Sequence, residues 1–104
     1  MIIQINTDKN LVVNEEYKEK IEGVIEKALA RFLDDITRVE VHFSDENGGK
    51  SGTKDKRCLL ETRIEHLQPM VVTEFSENYD KSLHGALEKL RNMLSTVVEK
   101  RKAK

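Results

Sequence analysis

In two blocks, Thr37 to Phe43 and Lys56 to His66, the side chains suited to a core recur at every second position, whereas on either side they recur at every third or fourth. The side-chain repeat is 2 along a strand and 3.6 along a helix, so such a chain must build strands in its middle and helices at its flanks. From Asn14 the apolar positions are Tyr17, Ile21, Val24, Ile25, Ala28, Leu29 and Phe32, which predicts a helix over about 14 to 33. Asn14 suits its N-cap, Glu15 and Glu16 suit the positive end of its dipole, and Asp34-Asp35 mark its exit. Tyr79, Leu83, Ala86, Leu87, Leu90, Met93, Leu94, Val97 and Val98 form a second helical stripe, which starts near 76 to 78 and closes on the basic tail Lys100 to Lys104.

The strands follow from alternation. Ile3 and Ile5 share one side of a short opening strand over 1 to 6. Val39, Val41 and Phe43 point inward from 37 to 43, as do Cys58, Leu60, Thr62 and Ile64 from 56 to 66, and Met70 to Phe75 supplies a fourth strand after the break at Leu67-Gln68-Pro69. Ser44 to Gly52 holds no apolar residue and three glycines, as an exposed hairpin loop requires. The order predicts an α+β two-layer sandwich, βαβββα, with a four-stranded mixed sheet and both helices on one face. Arg38, Glu40, His42, Arg57, Glu61, Arg63 and Glu65 are then expected on the other, wet face, where they can pair across strands.

Composition narrows the function. At 104 residues there is room for one domain, expected over 1–104. Eighteen basic against nineteen acidic residues give a net charge of −1, which excludes a generally polybasic nucleic-acid binder. The halves differ: residues 1–52 carry 7 basic and 11 acidic residues, residues 53–104 carry 11 and 8, so positive surface is expected mainly in the second half. One cysteine rules out an internal disulfide, and the absence of a signal-peptide pattern or a long apolar run predicts a cytoplasmic protein with no membrane partner.

Catalytic chemistry finds no support in the residues. Cys58, His42, His66 and His84 fall on different elements without metal-ligand spacing, so no metal and no cofactor is expected. Cys58 sits on the apolar face of a strand, where a lone cysteine acts as a small buried hydrophobe. Gly48-Gly49-Lys50-Ser51-Gly52 lacks the spacing of a phosphate loop and precedes no helix. What remains is basic: Lys50, Lys54, Lys56 and Arg57, opposed only by Asp55; Lys81, Lys89 and Arg91 with His84 on the second helix; and the tail. A solvated face or a helix end explains each group as readily as a binding role. On the first helix Lys18, Lys20, Lys27 and Arg31 are interleaved with five glutamates.

Met1-Ile2-Ile3-Gln4-Ile5, the helix to Phe32, Arg38-Val39-Glu40-Val41-His42-Phe43 and, above all, the segment from Asn78 through Tyr79, Lys81 and Leu83 to Lys89-Leu90 carry a resemblance. The sequence is similar to the hibernation-promoting factor and ribosome-associated inhibitor family, also called sigma-54 modulation or ribosomal subunit interface proteins, in its short form. The resemblance implies binding to the small ribosomal subunit and its RNA along the mRNA and tRNA path, translation regulation in stressed or stationary cells, no enzyme activity, no DNA partner, and a monomer away from ribosomes. It also implies that basic residues of both helices meet RNA, with Lys27 and Lys89 at such positions. The pattern departs at Phe75, Asp80 and Asn92. The RNA-binding set expected is Lys27, Lys54, Lys56, Arg57, Lys81, Lys89 and Arg91, with Lys89 pointing toward a groove between the helices, Lys27 approaching the same groove and Arg91 projecting further outward. The alternative is a protein-interaction or stress-adaptor module of the same fold that does not bind ribosomes.

Overall fold

The computed structural model describes residues 1–8, 11–46 and 54–102, with the side chains of 101 and 102 excepted. Its elements are β1 (Ile2–Thr7), α1 (Glu15–Ala28), a 3₁₀ turn (Ala30–Phe32), β2 (Ile36–Asp45), β3 (Lys56–Ile64), β4 (Met70–Ser76) and α2 (Tyr79–Lys102). The sheet order is β1-β2-β3-β4, with β1 parallel to β2 and the other neighbours antiparallel. The parallel pair is the one joined through a helix, as a crossover demands. Most of the expected loop, including Lys50, and the side chains of the tail beyond Lys100 lie outside the described residues.

One hydrophobic cluster joins the two layers. Ile21, Ile25 and Leu29 from the first helical stretch and Leu83, Ala86, Leu87, Leu90, Leu94 and Val98 from α2 pack on Val39, Val41, Phe43, Cys58, Leu60 and Ile64. All the positions expected to point inward from β2 and β3 are buried, Thr62 among them. Asn14 caps α1 as expected, its Oδ1 accepting from the Tyr17 amide at 2.8 Å, and Asn78 does the same for the Lys81 amide at 2.8 Å. The Tyr79 ring meets Phe43 edge-on, centroids 5.3 Å apart, which seats the first turn of α2 on β2.

Several boundaries differ from expectation, and β2 runs on to Asp45, two residues into the expected loop. The first helix leaves α geometry at Leu29 and finishes as a 3₁₀ turn, with the Phe32 amide donating to the Leu29 carbonyl at 2.9 Å. β3 stops at Ile64 instead of His66, because His66 takes a left-handed backbone (φ 66°) and the Leu67 amide turns back to the Ile64 carbonyl at 3.1 Å. The wet face also pairs differently. Register sets Arg38 opposite Arg63 and Glu40 opposite Glu61, so the ion pairs run along strands, Arg38–Glu40 at 3.6 Å and Arg63–Glu61 at 3.7 Å.

Candidate nucleic-acid interface

α1 and α2 lie side by side on the sheet but meet over few residues, and a groove opens between them. Side-chain bridges close both ends. At one, the Tyr17 hydroxyl donates to Asp80 Oδ1 at 3.3 Å and Lys20 lies 3.6 Å from the same carboxylate; at the other, Arg31 pairs with Glu99. Burial and the Asp80 charge push the Tyr17 hydroxyl up to about 12, so it stays protonated and able to donate. Between these clips is a hollow of about 410 Å³ floored by Val24, Ala28 and Leu87, with Lys27, His84, Glu88 and Arg91 at its rim. A second hollow of about 270 Å³ continues it toward Arg31 and Ser95 and shares Lys27, Ala28 and Arg91.

Lys27 and Arg91 therefore face one channel from opposite helices, and both are exposed. Neither makes a hydrogen bond or ion pair with a described residue. That distinguishes them from most of the other expected contacts. Lys56 sits between Asp45 at 3.0 Å and Asp55 at 3.1 Å, and hydrogen bonds to these carboxylates raise its pKa. Arg57 lies 3.6 Å from Glu46, and Lys81 lies 2.6 Å from Glu77, whose pKa is lowered by that bond. Lys54 is exposed beside this acidic partner.

The positive group expected at the start of β3 thus largely cancels locally: Lys56 and Arg57 are matched by Asp45, Glu46 and Asp55. Sequence spacing counted only Asp55, because Asp45 and Glu46 are remote along the chain. Antiparallel register brings them back, setting Asp45 opposite Lys56. Lys89 requires a second correction. Its Nζ donates to the Thr73 carbonyl at 2.9 Å and lies 3.5 Å from Glu74 Oε1, on the β4 side of α2 and away from Lys27. Residues 89 and 91 are two positions apart, about 200° around a helix, and it is Arg91, expected to project outward, that faces the groove in place of Lys89. Gly85 helps fix this arrangement, since a Cβ there would come within 2.7 Å of Glu74 Cγ.

His84 belongs to the groove rim more directly than Lys89. Its spacing of seven from Arg91 places the two on one helix face, and that signal was readable in the sequence. Cys58 is fully buried, and desolvation pushes its thiol up to about 12, which removes it as a nucleophile at neutral pH. Among the described residues no helix is long and apolar enough to cross a membrane.

Comparison with known families gives a match to the family model described as sigma 54 modulation protein / S30EA ribosomal protein over residues 3–104. The chain belongs to this family. Among solved structures the S30EA-type chain is similar to the Thermus thermophilus Protein Y N-terminal domain, with a TM-score of 0.72, 17% identity, and coverage of 92% of this chain and 98% of that one. It is also similar to a ribosomal subunit interface protein from Coxiella burnetii, with a TM-score of 0.69, 21% identity and 100% of both chains covered. At these identities the likeness is one of fold. A search of curated proteins finds no matching sequence.

Proposed function

We propose that this chain, as a single ribosome-associated unit over 1–104, binds the small ribosomal subunit along the mRNA and tRNA path and restrains translation under stress, without catalysing a reaction. The observation that carries the proposal is the pair Lys27 and Arg91, two uncommitted cations facing each other across a groove of the S30EA-type fold. A phosphate entering there meets Lys27 and Arg91 without first breaking an ion pair, although Glu88 also stands at the rim, and neutralisation of phosphates supplies most of the affinity of such contacts. Lys54 adds an exposed charge at the sheet end. Lys56, Arg57, Lys81 and Lys89 contribute less per residue, because each must leave an acidic partner to meet RNA. The reading places the protein in the cytoplasm, without cofactor or DNA partner.

A protein-binding role that bypasses the ribosome draws on the same neutralised cations and on Val71 and Phe75, which stand exposed on the wet face of β4. Co-sedimentation with purified ribosomal subunits separates the two. Ribosome binding predicts that the protein travels with small subunits at about 50 mM salt and is released at about 200 mM, as counterion release requires. Protein left at the top of the low-salt gradient, with subunits in excess, overturns it.

A further inference from the structure

The groove between the helices carries one group that a phosphate channel does not call for. Glu88 stands at the rim of the hollow of about 410 Å³, exposed and without a hydrogen bond or ion pair to a described residue. Its carboxylate repels phosphate, so it opposes binding unless the ligand brings it a hydrogen-bond donor. The groups around it are sorted by position. Lys27 and Arg91 border both hollows and so stand where the two join, whereas His84 and Glu88 border only the first. The first hollow has an apolar floor, and its volume falls within the range of about 300–1,000 Å³ typical of small-ligand pockets. The second continues past the cations and is lined there by the polar side chains of Asn92 and Ser95. Along the groove there follow an apolar bed beside an acceptor-only carboxylate, a pair of cations, and a further polar channel.

On the RNA-binding reading of this groove, we propose that the first hollow takes one unpaired guanosine of a single RNA strand. The base lies on the apolar floor, its adjacent phosphate lies between Lys27 and Arg91, and the strand runs on through the second hollow. Glu88 sets the identity of the base. A carboxylate only accepts, and guanine alone among the four bases sets two N–H donors side by side on its pairing edge, N1–H and N2–H, to meet both oxygens. Adenine and cytosine each set an amino group beside an acceptor nitrogen, and uracil sets one N–H between two carbonyls, so each turns a lone pair toward Glu88. A guanine already in a duplex has both donors engaged, which restricts the site to unpaired strands. The His84 ring, one turn before Glu88 on the same helix face, offers a surface for the base to stack on. The second hollow favours a strand over a free nucleotide, because a mononucleotide leaves that channel unused.

The test is fluorescence anisotropy of short labelled oligouridylates carrying one central guanosine, inosine or adenosine, at about 50 mM salt. The guanosine oligomer should bind at least about fivefold more tightly than the adenosine oligomer, the low end of what a bidentate base contact discriminates. Inosine, which lacks the N2 amino group, should fall between them. Glu88→Ala should bring the guanosine and adenosine affinities together without weakening the adenosine oligomer, since it removes a negative charge from the rim; an unchanged melting temperature shows that the variant folds. GMP alone should bind more weakly than the guanosine oligomer. Equal affinities for the guanosine and adenosine oligomers overturn the inference, as does a guanosine preference that survives Glu88→Ala. So does the absence of binding up to about 1 mM guanosine oligomer, or GMP that binds as tightly as the oligomer. The ribosomal reading fails separately: protein that keeps the guanosine preference yet stays off small subunits overturns that reading alone, and protein that sediments with subunits without any base preference overturns only the guanosine site.

Discussion

Replacing Thr62 with valine should make the protein more stable. Thr62 is fully buried on β3, opposite Val39 on one side and Met70 on the other, and its hydroxyl makes no hydrogen bond with a described residue. A buried hydroxyl without a partner costs roughly 1–3 kcal/mol in proteins. Valine fills the same shape with a methyl group, and burying it contributes about 0.8 kcal/mol more. After allowance for relaxation of the present site, a net gain of about 1.5 kcal/mol is expected. For a chain of 104 residues, unfolding entropy of about 2.1 cal/mol/K per residue converts each kcal/mol into about 5 °C of melting temperature. Calorimetry should therefore show a rise of about 7 °C, and urea titration a higher midpoint with an unchanged slope. An unchanged or lower melting temperature would refute the reasoning, because it would mean that the hydroxyl is satisfied in solution.

Cys58 should make stability fall in alkali. Its folded pKa is raised from 9.0 to about 12, so the stabilisation is complete below pH 9 and is lost as pH rises from 9 toward 12, where the unfolded thiol has released its proton and the folded one has not. Urea melts at pH 8 and 10.5 should show the loss, and Cys58→Ala, costing ~1 kcal/mol at neutral pH, should show less of it, with the raised Tyr17 accounting for the remainder near the upper end. Gly85→Ala should be near neutral alone, since a gain of about 1 kcal/mol in helix propensity is offset by displacing Glu74, and should become stabilising when Glu74→Ala removes the obstruction; thermal melts of the four variants in the cycle decide it.

The strands and helices were legible because each period was unbroken for long enough to identify a face: Val39-Val41-Phe43 and the stripe from Leu83 to Val98 left little freedom. The terminus of the first helix was less so, since Phe32 continues the apolar stripe while the backbone has already tightened into a 3₁₀ turn. Charge pairing was mostly hidden. Lys56 meets Asp45 through strand register, Lys89 meets Glu74 through the packing of α2 on β4, and Arg31 meets Glu99 across 68 positions of sequence. Local spacing carries none of those distances, so a count of nearby charges overstated the free positive surface. Lys27 and Arg91 stand out only when the partners of the other cations are known. The separation of Lys89 from Arg91, by contrast, follows from helical geometry alone.

The assignment of Lys27 and Arg91 as phosphate-binding cations is open to direct measurement through the salt dependence of binding. Affinity for small subunits should be followed across a salt series for the wild type, for Lys27→Gln with Arg91→Gln, and for Lys81→Gln with Lys89→Gln. Removing one cation that neutralises a phosphate lowers the slope of log K against log salt by about 0.7 for single-stranded RNA. The groove pair should therefore lower it by about 1.4, and the paired lysines by much less, with all three proteins showing the same circular dichroism and melting behaviour. An unchanged slope for the groove variant, or an equal fall for the two variants, would contradict the assignment of the groove as the RNA-binding surface.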